Sequence, residues 1–289
     1  MHRRALLALA AVPVAAQAQT GPTAVASFSI LGDMLRQVAG ERMPVQVIVG
    51  PDMDAHHFQP RPSHAEAVRQ AQLVVRNGAG FDSWFDRLLG STRFRGATAT
   101  ATDGIALRST ASGQDPHAWQ DLRLGLQYVR NIEAGLIQAD PAGSEHYRTL
   151  AAAYAARLEA LDAWVRVQIA AVPAARRVVV TSHDAFAYFG AAYGVSFRAP
   201  QGMAMNAEPS AQQVAALIRQ IRGEGVTAVF IENIANPATL RRLADEAGVR
   251  IRGRLYTDAL SAAVGPAASY EAMVRHNVSL LVPAMLGAG

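Results

Sequence analysis

Apolar positions along the chain fall into two alternating patterns. Short runs of β-branched and alanine residues are followed by stretches in which apolar residues recur every three or four positions, so strands and amphipathic helices are expected in turn. Residues 24–28 read as a strand and 30–38 as the helix after it. Residues 44–49 and 73–75 read as further strands. Ser63-His64-Ala65-Glu66 has the form of a capping box opening a helix through Ala71, and Gly78-Ala79-Gly80 precedes a helix over 81–89. The segment 97–114, rich in Ala, Thr, Ser and Gly, reads as irregular with one short strand, and 122–137 as a helix. Asp140-Pro141 fits an N-cap with proline at the first helical position. No glycine then follows Gly143 until well past Val172, which predicts one helix of roughly 30 residues, about 45 Å long. The alternation resumes with strands at 177–181, 227–231 and 251–256. Helices are expected at 185–193, from the Ser210-Ala211-Gln212-Gln213 capping box to about 222, at 237–247 and at 269–285.

Strand–helix alternation implies an α/β fold of parallel sheets covered by helices. With the long helix in the middle, the expected organisation is an N-terminal lobe over 19–140, a linking helix over 141–173 and a C-terminal lobe over 174–289. Residues 1–18 stand apart. Met1-His2-Arg3-Arg4, a short apolar stretch and Ala16-Gln17-Ala18 form a positive segment, an h-region and a cleavage signal. The apolar stretch is too short to span a bilayer, so an exported, periplasmic protein cleaved near Ala18 is expected.

Composition removes several function classes. The chain has no cysteine, which excludes disulfides, thiolate metal sites, a cysteine nucleophile and a lipoprotein of the usual acylated form. All 27 basic residues are arginine. The formal charge of +4 falls to +2 without Arg3 and Arg4, and with no basic run after them nucleic acid is not an expected partner.

In open α/β sheets ligands bind beyond the carboxyl ends of the strands. Four candidate metal ligands fall in such loops: His56 in Asp54-Ala55-His56-His57-Phe58-Gln59-Pro60, His117 in Asp115-Pro116-His117-Ala118-Trp119, His183 after the apolar run ending at Ser182, and Asp258 after Tyr256-Thr257. Together they would form an N3O set of the kind zinc takes. Each has a plainer reading. His57 serves as well as His56; His117 fits an exposed Asp-Pro turn; Asp258 fits a helix N-cap. Asp115 is placed to accept from the second imidazole nitrogen of His117, as carboxylates behind metal-bound histidines do. Glu232, at a strand end, is a better candidate than Glu208 for adding charge to the crevice. His64, His146 and His276 fall inside expected helices and read as surface or boundary residues.

These four motifs, in this order around a long mid-chain helix, resemble the zinc and manganese solute-binding proteins of ABC importers. The likeness covers essentially the whole chain after residue 18. It implies two α/β lobes joined by one rigid helix, a metal held between them by His56, His117, His183 and Asp258, and delivery to an ABC permease in the inner membrane. In that family zinc binders carry histidine at the third ligand position and manganese binders usually glutamate, so His183 points to Zn(II) rather than Mn(II). Two departures stand out. The histidine-rich loop of many zinc members is absent, so capture or delivery is expected to involve another protein such as a periplasmic metallochaperone. Ala55 replaces a frequent proline, which predicts a looser first ligand loop.

The expected protein is a monomer that binds zinc through neutral imidazoles, with affinity falling as pH drops through about 6.5. An exported zinc hydrolase is the competing class. It needs an open fourth position and a general base, and no His-Glu-x-x-His motif supplies one. A haem or siderophore binder would need a broad aromatic cleft, for which 7% aromatic residues is thin.

Overall fold

Every residue of β1 (Ala24–Phe28) is buried, because this strand runs through the middle of a sheet covered on both faces. The computed structural model describes residues 23–110, 113–200, 202 and 210–287; the expected signal peptide and Glu208 lie outside the described residues. β2 (Val45–Val49), β3 (Leu73–Arg76) and β4 (Ala97–Thr100) join β1 in the order β2-β1-β3-β4, all parallel. The helices α1 (Ser29–Ala39), α2 (Pro62–Gln70) and α3 (Ser83–Thr92) supply the crossovers. A two-residue hairpin, β5 (Ser109–Thr110) with β6 (Gly113–Gln114), leads to α4 (Leu122–Ala139).

The second lobe repeats the plan. Strands β7 (Val178–Val180), β8 (Ser196–Arg198), β9 (Ala228–Glu232) and β10 (Ile251–Leu255) form a parallel sheet in the order β10-β9-β7-β8. The helices that follow α5 (Ser144–Ala170) are α6 (Ala187–Tyr193), α7 (Ala211–Glu224), α8 (Pro237–Ala247) and α9 (Tyr270–Met285).

α5 joins the lobes. Tyr147, Ala151, Tyr154, Leu158, Leu161, Val165 and Ile169 are its buried apolar residues, three or four apart, so they form one stripe. That stripe packs on α1 and α4 of the first lobe and on α9 and α6 of the second. Its residues share one hydrophobic core with both sheets.

The helix is shorter than the sequence suggests, at 27 residues or about 40 Å. Asp140 is drawn away from capping: its carboxylate takes the Arg42 guanidinium at 2.6 Å and the Tyr147 hydroxyl at 2.7 Å, and Pro141–Gly143 forms a 3-10 turn before the α-helix begins. Ser63 does not cap α2 either. Pro62 takes the first helical position, where its fixed φ suits the helix, so the cap moves back to Arg61, whose backbone N–H donates to His64 Nδ1 at 3.1 Å. The box at Ser210 forms as read, with Ser210 and Gln213 bonding reciprocally. Strand β8, three half-buried residues at a sheet edge, has no apolar run to announce it. Among the described residues no helix is long and apolar enough to cross a membrane.

Candidate metal centre

Four loops at the carboxyl ends of the two sheets meet between the lobes. The loop after β2 carries His56, whose backbone N–H donates to Asp54 Oδ1 at 2.7 Å. Ala55 is fully buried and its carbonyl accepts the Trp84 indole N–H at 2.7 Å. This backbone bond anchors the loop that carries alanine where proline is frequent. His56 points into the cleft, with its side chain 5% exposed. His57 turns outward, half exposed, with Nδ1 3.0 Å from Asp54 Oδ2.

The loop after the β5–β6 hairpin carries His117. Asp115 Oδ1 accepts the His117 backbone N–H at 3.0 Å and lies 2.8 Å from its Nδ1, so the ring presents Nε2 to the cleft. Asn77, which the sequence reading passed over, fixes this loop from the turn after β3: its Nδ2 donates to the Pro116 carbonyl at 3.0 Å, and its Oδ1 accepts the Tyr128 hydroxyl at 2.7 Å. The turn that places Asn77 needs Gly78, where φ is +84° and an added Cβ would lie 2.6 Å from Thr100 Cγ2. Buried Asp82 closes the turn by accepting the Asn77 and Gly78 backbone N–H groups.

His183 follows β7 and Asp258 follows β10, both with fully buried side chains. No helix starts directly after Asp258, so it is not an N-cap; the next, α9, begins at Tyr270. Its carboxylate reaches across the cleft: Oδ2 is 3.1 Å from both His56 Nε2 and His183 Nε2, and Oδ1 is 3.7 Å from His117 Nε2. One ligand atom from each of the four residues lies within 4.8 Å of the others. His64, His146 and His276 lie outside this cluster, hydrogen-bonded to backbone groups of Arg61, Ala39 and Arg254.

Burial of so many polar atoms is costly unless something satisfies them. His117 Nε2 and Asp258 Oδ1 are both buried without a hydrogen-bond partner, and both face the centre of the cluster. A divalent cation there would satisfy them. Three imidazole nitrogens and one carboxylate oxygen would supply the four donors of a tetrahedral shell, without the open position that a catalytic zinc keeps.

The charges follow the geometry. Burial lowers the tendency of His56 to protonate. Burial opposes charging His117 too, but Asp258 and Asp115 outweigh it and raise its pKa. His183 is raised well above the ordinary range in the same way, by Glu232 and Asp258 against burial. For Asp258 burial favours the neutral acid, and His117 and His183 overcome it, holding the carboxyl well below its usual value.

Comparison with known proteins accords with this arrangement. Residues 24–284 match the family model described as zinc-uptake complex component A, periplasmic. The chain belongs to this family. Its members are metal-binding solute-binding proteins of ABC importers, not enzymes, and they work with a permease and an ATPase. Among relatives, the manganese-binding lipoprotein MntA of Halalkalibacterium halodurans is 34% identical over 260 residues, covering 89% of this chain and 86% of its own. The iron-binding protein YfeA of Yersinia pestis is 32% identical over 264 residues, covering 89% and 84%. The solved structure of the periplasmic zinc binding protein TroA from Treponema pallidum superposes with a TM-score of 0.88 at 28% identity, covering 92% of this chain and 99% of that one. The family is thus extracytoplasmic, with one architecture serving proteins named for different metals.

Proposed function

We propose that this chain is a periplasmic zinc-binding protein that delivers Zn(II) to an ABC permease in the inner membrane, with His56, His117, His183 and Asp258 as the metal ligands. The observation that carries this reading is the pair of orphaned, buried atoms, His117 Nε2 and Asp258 Oδ1, inside a closed cluster of three imidazoles and one carboxylate. Nitrogen-rich tetrahedral donors suit zinc, whereas manganese prefers oxygen and a larger shell. Each lobe contributes two ligands, so binding ties loops of the two lobes to one another. The proposed precursor is cleaved near Ala18, leaving lobes over 19–140 and 174–289 on a linking segment over 141–173. The mature protein acts as a monomer and receives or hands on its metal with the help of a metallochaperone.

A manganese-binding role is the second reading, favoured by the relative named for manganese. Metal analysis of the purified mature protein, wild type beside His183→Ala, separates the two. About one zinc per chain, lost in the variant, is expected for a single four-ligand site. Manganese retained in preference to zinc would overturn the choice of metal, and no metal after zinc addition and desalting would overturn the site.

A further inference from the structure

Behind the four proposed ligands, on the β9 side of the cleft, lies a further buried carboxylate. Glu232 ends β9, between the strands whose loops carry His183 and Asp258, and is 2% exposed. Its Oε1 accepts two backbone N–H groups, from Ser182 at 2.7 Å and from His183 at 3.0 Å. Its Oε2 accepts the Thr257 hydroxyl at 2.9 Å and stands 2.5 Å from His183 Nδ1. The Ser182 hydroxyl returns a bond to the Glu232 backbone N–H at 3.2 Å. One carboxyl group therefore grips the backbone and ring of one proposed ligand and the residue preceding another. The Thr257 carbonyl extends the chain across the cleft, accepting Trp119 Nε1 at 2.9 Å and Gln120 Nε2 at 3.2 Å from the loop of His117.

We infer that Glu232 is a positioning residue for the metal: it fixes the tautomer of His183 and couples His183, Asp258 and the His117 loop into one donor unit whose affinity depends on that coupling. The inference rests on the four-ligand reading above. Glu232 does not touch the metal position. With metal bound, a proton on Nδ1 beside the Glu232 carboxylate leaves Nε2 as the lone-pair donor facing the cleft, and the bond to Thr257 holds the Thr257–Asp258 segment beside it. Carboxylates placed behind a ligand histidine in this way orient it and are worth roughly 10- to 100-fold in metal affinity.

Glu232→Gln tests this with almost no change of shape. An amide offers one acceptor and one donor edge where the carboxylate offers two acceptors. If its oxygen keeps the Ser182 and His183 backbone N–H groups, its NH2 faces His183 Nδ1 and the Thr257 hydroxyl. The hydroxyl can turn and accept. The imidazole can accept only by moving its proton to Nε2, which removes the donor the metal needs. The expected result is a 10- to 100-fold weaker zinc affinity by competition with a chromophoric chelator. A shifted visible spectrum of the Co(II)-loaded protein and a changed His183 ring tautomer by 15N NMR should accompany it, with the metal-free melting temperature nearly unchanged. A purely structural role predicts the opposite, a lowered melting temperature with zinc affinity and Co(II) spectrum as in the wild type, and that outcome overturns the inference. Thr257→Val is the second variant. It removes only the hydroxyl link, and a several-fold weakening is expected; wild-type affinity in it, should Glu232→Gln fail to fold, also overturns the inference. The zinc reading fails separately, if the wild type prefers manganese; the same comparison made with manganese then still decides the role of Glu232.

Discussion

At the scale of single residues, the cluster's weakest point is the balance of charge it holds when empty. His117→Ala removes one donor and leaves Asp115 and Asp258 buried with fewer partners. A loss of zinc affinity by orders of magnitude is expected, measurable by chelator competition, and wild-type binding in this variant would show that His117 is not a ligand. The pH dependence follows from the directions of the shifts. His117 and His183 have raised pKa values in the metal-free site, so they hold protons above the ordinary histidine value of about 6.5, and zinc must displace them. A raised folded-state pKa gives stability that is complete below the unfolded value and lost as pH rises through the folded one. The metal-free protein loses that contribution on going alkaline, just as zinc gains access to free imidazoles. His56, lowered by burial, works in the opposite sense but only as pH falls toward its own value. The zinc-induced rise in melting temperature should therefore be larger at about pH 8 than at about pH 6, and a rise that shrinks with pH would contradict the assignment of the protonated groups. The four clustered side chains were legible in the sequence because each follows a strand or a turn motif with its own local signature. Asn77, Trp84 and Trp119, which hold those loops, were not, since what they do depends on carbonyls 39, 29 and 138 positions away.

At the scale of elements, hydrophobic period carried most of the fold. The bounds of α8 agree with the periodic pattern to the residue, and β1 does too. What the pattern missed lay where a side chain had a better use than the local one, as Asp140 shows by binding Arg42 and Tyr147 instead of capping α5. β8 was missed because three half-buried edge residues carry too little periodicity to read. α5 offers a test of what joins the lobes. Leu158 is fully buried in its inner stripe. Leu158→Ala should destabilise the metal-free protein by about 2–5 kcal/mol in denaturant unfolding. The zinc affinity of the folded variant should change little, because Leu158 does not contact the cluster. An unchanged denaturation midpoint would mean that the site relaxes around the cavity, and that α5 contributes less than its burial implies.

Across the whole molecule, one core runs without interruption from the first sheet through α5 into the second lobe, while α7 and α8 pack on the C-terminal sheet as a separate, smaller cluster. Hydrogen bonds cross the cleft well beyond the metal cluster, from Asp52 N–H to the Leu260 carbonyl, from the Leu260 N–H to Ser29 Oγ and from the Tyr270 N–H to Asp33, each at 2.8–2.9 Å. Lobes joined in this way are not free to swing like two bodies on a linker, and metal binding should act by tightening loops already in place. Ligand that binds only the folded state stabilises it by RT ln(1 + [L]/Kd), about 4 kcal/mol at a thousandfold excess over Kd. That stabilisation should appear in hydrogen exchange as slower exchange in four separate segments, around residues 54–58, 115–120, 181–184 and 256–260, two from each lobe. α7 and α8, outside the continuous core, should exchange at the same rate with and without zinc. Protection confined to one lobe would mean that the metal is held by two residues rather than four. Protection spreading through α7 and α8 would mean that the second lobe moves as a unit, and that the cross-cleft bonds yield when the metal leaves.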